Sequence, residues 1–198
     1  MSKRLICPNC DRPIKTCLCD VMTSLSCNYQ VIILQDPKEA KHALSSAPIL
    51  AKSIIGARLI IGEVFQPEAF LGDNWLADSL LVFPGKVALS TAQVENNEIK
   101  NLILLDGPWR KVSRLIHLNP WLDQLPRIAI NASNSSQYKI RKSPREDGLS
   151  TIEAAVHVLN DLHPKQDFTA ILSAFNKMIE FQITAMGKAK FQRNYRGG

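Results

Sequence analysis

The sequence predicts an α/β domain built on a mainly parallel sheet, with a small cysteine-rich module ahead of it. Three observations lead there. Short apolar runs of strand length recur along the chain, and longer stretches with helical spacing lie between them. All five cysteines fall within residues 1–27, a stretch with two prolines and no hydrophobic periodicity. Strand and helix taking turns is the pattern of a parallel sheet with crossover helices, and runs that are apolar at every position suit strands covered on both faces.

The expected strands are residues 30–34, 58–61, 80–83, 101–105 and 127–130. Between the first two, Ala40, Ala43, Leu44, Ala47, Ala51, Ile54 and Ile55 repeat at helical spacing, and Pro48 interrupts that repeat and restarts the helix after Ser46. Val112, Leu115 and Ile116 mark a helix between the fourth and fifth strands. Residues 151–161 predict another, with Ile152, Ala155, Val156 and Leu159 on one face and His163-Pro164 as its stop. The last helix spans residues 167–186, and its stripe of Phe168, Ile171, Leu172, Phe175, Met178, Ile179 and Ile183 reads as a core face. The expected organisation is therefore a module over 1–27, a main domain over 28–186 and a basic tail over 187–198, where Lys188, Lys190, Arg193 and Arg196 meet no acidic residue.

Composition narrows the class. With 45% hydrophobic and 21% charged residues, the 198-residue chain has the make-up of an ordinary globular protein. It has no apolar run of the roughly 20 residues that span a bilayer and no signal-peptide core before the cysteines, so a cytoplasmic protein without a membrane partner is expected. A net charge of +6 favours polyanions as partners, nucleic acid first, although such a charge also simply keeps a protein in solution.

Four cysteines form a C-x2-C and a C-x-C pair: Cys7, Cys10, Cys17 and Cys19. Paired thiolates at these spacings supply the two halves of a tetrahedral zinc site, and four such ligands close the shell, so the metal would be structural. Arg4, Arg12 and Lys15 would offset the thiolate charge. Cys27 has no such partner and reads as a structural cysteine.

Two motifs bear on chemistry. The fourth strand runs into Asp106-Gly107-Pro108-Trp109 and a basic helix carrying Arg110, Lys111 and Arg114. A carboxylate at the carboxyl end of a buried parallel strand is where α/β sheets bind ligands, but Asp106 is equally suited to capping the following helix. Tyr138, Arg141, Lys142 and Arg145 form a second cluster able to grip phosphates and stack on a base, or to lie solvated. After it, Ser150 and Glu153 match a capping box, and the helix start they define can also receive a carboxylate such as that of methionine.

The order of these motifs resembles the DTW-domain family: the two cysteine pairs, residues 34–39 (LQDPKE), 81–85 (LVFPG), 105–110 (LDGPWR), 138–142 (YKIRK) and 149–154 (LSTIEA). The resemblance runs from Cys7 to about Leu162. It implies a SPOUT-like, S-adenosylmethionine-dependent enzyme with a C-terminal knot, acting as a tRNA-uridine aminocarboxypropyltransferase. On that footing Asp106 is the candidate catalytic carboxylate. Phe83, Pro84, Gly85, Leu105, Gly107, Trp109, Leu149, Ser150, Thr151 and Glu153 are expected around the S-adenosylmethionine. Arg110, Lys111, Arg114, Tyr138, Arg141, Lys142 and Arg145 are expected along the tRNA.

Two positions depart from the family pattern. Pro108 stands where the motif has threonine, and Asp36 where members often have histidine. A SPOUT-like RNA methyltransferase and a non-catalytic zinc-containing RNA-binding protein are the alternatives, and the oligomeric state, monomer or homodimer, is left open.

Overall fold

A computed structural model describes residues 5–84, 88–96, 98–128 and 149–187. A 3-10 turn over Ile14–Thr16 leads to strand β1 (Gln30–Gln35), helices α1 (Pro37–Ala40) and α2 (Ala47–Ser53), and strand β2 (Arg58–Ile61). Two short helices, α3 (Glu68–Leu71) and α4 (Trp75–Asp78), precede β3 (Ser79–Val82). Helix α5 (Thr91–Asn96), β4 (Asn101–Asp106), α6 (Trp109–Leu118), a 3-10 segment Pro120–Gln124 and β5 (Arg127–Ile128) follow. The described chain closes with α7 (Thr151–Leu162), a 3-10 turn Thr169–Ile171 and α8 (Leu172–Met186).

The five strands form one parallel sheet in the order β2-β1-β4-β3-β5. Strand alternation divides its side chains between two cores. Val31, Ile33, Leu80, Val82, Leu102 and Leu104 face α2, α5, α7 and α8. Ile32, Leu34, Leu81, Ile103 and Leu105 face α6 and the Trp121 and Leu122 side chains of the 3-10 segment. Burial on both faces is why β1, β3 and β4 carry no polar alternation; β2, at the sheet edge, is only partly buried.

All five expected strands are present, the last over Arg127–Ile128 because 129–130 fall outside the described residues. The helical repeat from Ala40 to Ile55 resolves differently. It becomes two helices with a turn between them, because Pro48 lacks the N–H that a continuous helix needs and fits the first turn of α2 instead. The last expected helix likewise starts as a 3-10 turn and becomes α-helical at Leu172. The short helices α3, α4 and α5 carry too few turns to show a period in the sequence. The resemblance implies a C-terminal knot, and residues 129–148, which lead into the C-terminal part, lie outside the described residues.

The cysteine segment packs on the helical face through Leu18, which is fully buried in the same core as α7 and α8, with Val21, Met22 and Leu25 beside it. Polar contacts reinforce this seat. Arg12 donates to Met178 Sδ, Lys177 pairs with Asp20, and Lys52 pairs with Asp11 at 2.9 Å. Leu18→Ala should therefore cost the whole domain about 2–5 kcal/mol, the range for a leucine deleted from a packed core. Urea unfolding should show one transition displaced to lower denaturant; a second, separate transition for the N-terminal segment would contradict it.

Candidate functional site

The sheet topology creates a crevice. After β1 the chain leaves towards the α2 face, and after β4, its neighbour in the sheet, towards the α6 face. Adjacent parallel strands whose connections part in this way open a cleft at their carboxyl ends, the usual ligand position in α/β sheets. Gln35 and Asp106 end these two strands and are partners in register. Both continue the alternation that faces α2 and α7.

Asp106 is only 5% exposed, and a carboxylate so buried needs donors. Its Oδ2 accepts from Gln35 Nε2 at 2.7 Å and from the Ser45 hydroxyl at 3.5 Å, and its Oδ1 accepts from the Thr151 hydroxyl at 2.6 Å. Ser45 lies in the turn before α2, and Thr151 is the first residue of α7. The site thus joins two strand ends, one turn and one helix start. Hydrogen bonds to a charged group contribute about 1.5–3 kcal/mol each, so the cluster fixes these elements together. Asp106 does not cap α6, as one reading of the sequence had it. Pro108 occupies that N-cap with no side-chain bond, and the carboxylate points to the other face of the sheet.

Gln35 is fully buried and its amide orientation is dictated: the nitrogen must face Asp106 and it also donates to Ser45 Oγ at 2.7 Å. Its Oε1 then has no hydrogen-bond partner among the described residues. A buried acceptor left unmet costs about 1–3 kcal/mol.

Ser150 and Glu153 form the expected capping box. Glu153 Oε2 accepts from Ser150 N at 2.8 Å and Ser150 Oγ at 2.7 Å, and Glu153 N donates to Ser150 Oγ at 3.4 Å. The backbone N–H groups of Thr151 and Ile152 have no partner among the described residues and point out of the helix start.

On the other side of β4, Phe83 and Trp109 stack obliquely with centroids 5.6 Å apart, and the Arg127 guanidinium sits 5.4 Å from the Phe83 ring centre. Pro84 is exposed and its carbonyl accepts from Arg127 Nη1 at 3.0 Å, whereas the Leu105 side chain is buried in the α6 core and leaves only its backbone to the cleft. Leu149 is half-buried. Gly107 has φ +146, and a Cβ there would come within 3.3 Å of Glu39 Cγ, so the turn out of β4 demands glycine. Gly85, Tyr138, Arg141, Lys142 and Arg145 lie outside the described residues.

The basic face of α6 is partly matched. Lys111 Nζ lies 2.6 Å from Glu39 and 3.8 Å from Asp36, and Arg114 makes a two-pronged pair with Glu63 at 2.8 and 2.9 Å and lies 3.7 Å from Asp36. Arg110 is exposed and has no ion-pair partner among the described residues.

Apart from the crevice, the Sγ atoms of Cys7, Cys10, Cys17 and Cys19 lie within 4.8 Å of one another and can hold a metal ion. The Cys7–Cys19 and Cys10–Cys17 separations are 3.5 and 3.7 Å; a tetrahedron with Zn–S bonds of about 2.3 Å puts its sulfurs about 3.8 Å apart. The backbone N–H groups of Cys10 and Asn9 draw Cys7 down to about 6, while hydrogen bonding to Cys17 and Cys7 pushes Cys19 up to about 12. Crowded thiols resist ionising together, which is the situation a bound cation relieves. Cys27 is half-buried, with Sγ 3.9 Å from His163 Nε2, and burial pushes its thiol up, as suits a structural cysteine.

Sequence reasoning placed Asp106, Ser150, Thr151 and Glu153 together but gave no role to Gln35 or Ser45. The signal for Gln35 was present: it is the polar end of an apolar strand, as Asp106 is.

A profile described as DTW domain matches residues 4–183. The tRNA-uridine aminocarboxypropyltransferase 2 of Drosophila melanogaster is 27% identical over 180 residues, covering 86% of this chain and 72% of its own. The mouse protein of the same name is 27% identical over 208 residues, with 98% and 68% covered. The tRNA-uridine aminocarboxypropyltransferase A of Arabidopsis thaliana is 25% identical over 215 residues, with 91% and 81% covered. No solved structure gives a significant match.

One pH dependence follows from the α6 ion pairs. Hydrogen bonding to Arg114 holds the Glu63 carboxyl below its unfolded value of 4.5. A depressed carboxylate contributes stability that is fully present above the unfolded value and is lost as pH falls through the folded one. Glu63→Gln should therefore be less stable than the parent at neutral pH, and the two denaturation midpoints should converge on acidification below 4.5. A difference that stays constant down to acid pH would show that the pair contributes nothing through charge.

Proposed function

The chain belongs to the DTW domain family, and we propose that it transfers the 3-amino-3-carboxypropyl group of S-adenosylmethionine to the imino nitrogen of a uridine in tRNA. The observation that carries this reading is the buried Asp106 cluster at the β1/β4 crevice, in a chain whose relatives bear the name tRNA-uridine aminocarboxypropyltransferase. The all-parallel sheet supports the SPOUT-like topology that the reading includes.

The donor's sulfonium activates its attached carbons. Attack by the uracil imino nitrogen on the γ-carbon forms an N–C bond, breaks the C–S bond, and returns the electron pair to sulfur as the neutral thioether of methylthioadenosine. Which carbon reacts is decided by what the protein presents to the nucleophile. Asp106 is proposed either to take the imino proton or to hold the donor's ammonium. The start of α7, with the N–H groups of Thr151 and Ile152, suits the donor's carboxylate. Phe83 and Trp109 offer apolar surface for adenine. Arg110, Arg141, Lys142 and Arg145 are proposed for tRNA phosphates, with Tyr138 for a base; Lys111 and Arg114 already face carboxylates and would contribute less.

The test is the by-product. Protein incubated with S-adenosylmethionine and tRNA should release methylthioadenosine and leave aminocarboxypropyl-uridine in the digest; S-adenosylhomocysteine would instead identify a methyltransferase, and no consumption with retained tRNA binding a non-catalytic RNA-binding protein. Asp106→Asn keeps the shape of the side chain and should fold, while transfer falls about 100-fold or more. A near-parental rate would remove Asp106 from the reaction.

The metal in the cysteine cluster is proposed to be a structural zinc. Its donor set of four thiol sulfurs leaves no open position for substrate. Metal analysis of protein purified without chelator should give about one zinc per chain, and chelation should lower the thermal midpoint of the whole domain through Leu18; clearly substoichiometric zinc with unchanged stability would refute it.

A further inference from the structure

The unmet amide oxygen of Gln35 identifies a group the site expects. Gln35 ends β1, is fully buried, and donates from Nε2 to Asp106 and Ser45, so its Oε1 cannot be satisfied by rotating the amide. Buried polar atoms are almost always paired. This one sits beside a carboxylate, at the carboxyl ends of β1 and β4, with Thr151 at the start of the twelve-residue α7 on the far side of Asp106.

We infer that Gln35 Oε1, together with Asp106, receives the α-ammonium of the S-adenosylmethionine methionyl group, and so selects the amino acid end of the donor. The inference rests on the proposed function above. Within the transferred group only the ammonium carries N–H donors; the carboxylate accepts and the γ-carbon has no polar hydrogen. Two acceptor-bearing side chains at the strand ends and two backbone N–H groups at the start of α7 with no partner among the described residues match the two ends of a zwitterion. The uracil N–H is the poorer fit. A neutral amide oxygen cannot take its proton, and holding that proton would keep the nucleophile in its unreactive form. An ammonium seated there satisfies the amide oxygen and adds an ion pair to a carboxylate that Gln35, Ser45 and Thr151 already hydrogen-bond.

Calorimetric binding of S-adenosylmethionine, of its desamino analogue and of methylthioadenosine tests this on the full chain. The parent should prefer S-adenosylmethionine over the desamino analogue. Gln35→Met, which keeps the volume and removes the amide, should weaken S-adenosylmethionine by about 10- to 100-fold, as expected for a hydrogen bond to a charged group. It should leave the other two ligands within about twofold, on the ordinary scatter of distant contacts. Gln35→Asn, which draws the amide back by one methylene, carries the same expectation should the methionine variant fail to fold. If the parent binds S-adenosylmethionine and the Gln35 variants bind it equally well, the inference fails while the proposed function stands. A parent that binds no S-adenosylmethionine overturns both.

Discussion

The site depends on the demand of one buried carboxylate. Asp106 cannot sit at 5% exposure without donors, and it obtains them from β1, from the turn before α2 and from the first residue of α7. Those three contacts hold the mouth of the crevice together. They also explain why α2 does not continue back through residues 41–46: the turn there brings Ser45 over both Gln35 and Asp106. A helix running through would carry the hydroxyl elsewhere.

The two departures from the family pattern can be read against this geometry. A threonine at position 108 would stand at the N-cap of α6, on the opposite side of β4 from the Asp106 carboxylate, whose hydroxyl partners are Ser45 and Thr151. Proline there costs α6 a side-chain cap but leaves the anchoring of Asp106 intact. Asp36 caps α1 by accepting from Lys38 N at 2.8 Å and lies 3.8 and 3.7 Å from Lys111 and Arg114. An acid suits that position because it is buried between two cations.

The fold was legible in the sequence where hydrophobic pattern decides it. The strands of the buried sheet announce themselves as apolar runs, and α7 by its capping box and its period. Pattern could not show that the repeat from Ala40 breaks into a turn, since Ala43 and Leu44 fit a helix by spacing and are displaced only because Pro48 and Ser45 have other requirements. The site was half legible for the same reason. Asp106 was marked by standing at the end of an apolar strand next to glycine and tryptophan. Gln35 stood at an equivalent place, yet only the sheet order, which puts β1 beside β4, turns two separate strand ends into one site. No local signal carries that order.

The distribution of charge completes the picture of how a polyanion would approach. The net charge of +6 is not delivered by the most obvious basic helix, because on α6 Lys111 and Arg114 are matched by Glu39, Glu63 and Asp36. A cation already facing a carboxylate gains little from a phosphate, since the pair must be broken or shared to make the new contact. In the last twelve residues, by contrast, Lys188, Lys190, Arg193 and Arg196 stand without a single Asp or Glu, whereas the 138–145 cluster is followed directly by Glu146 and Asp147. The ion pairs of α6 serve instead to hold that helix, and with it Gly107 and Trp109, against the ends of β1 and β4.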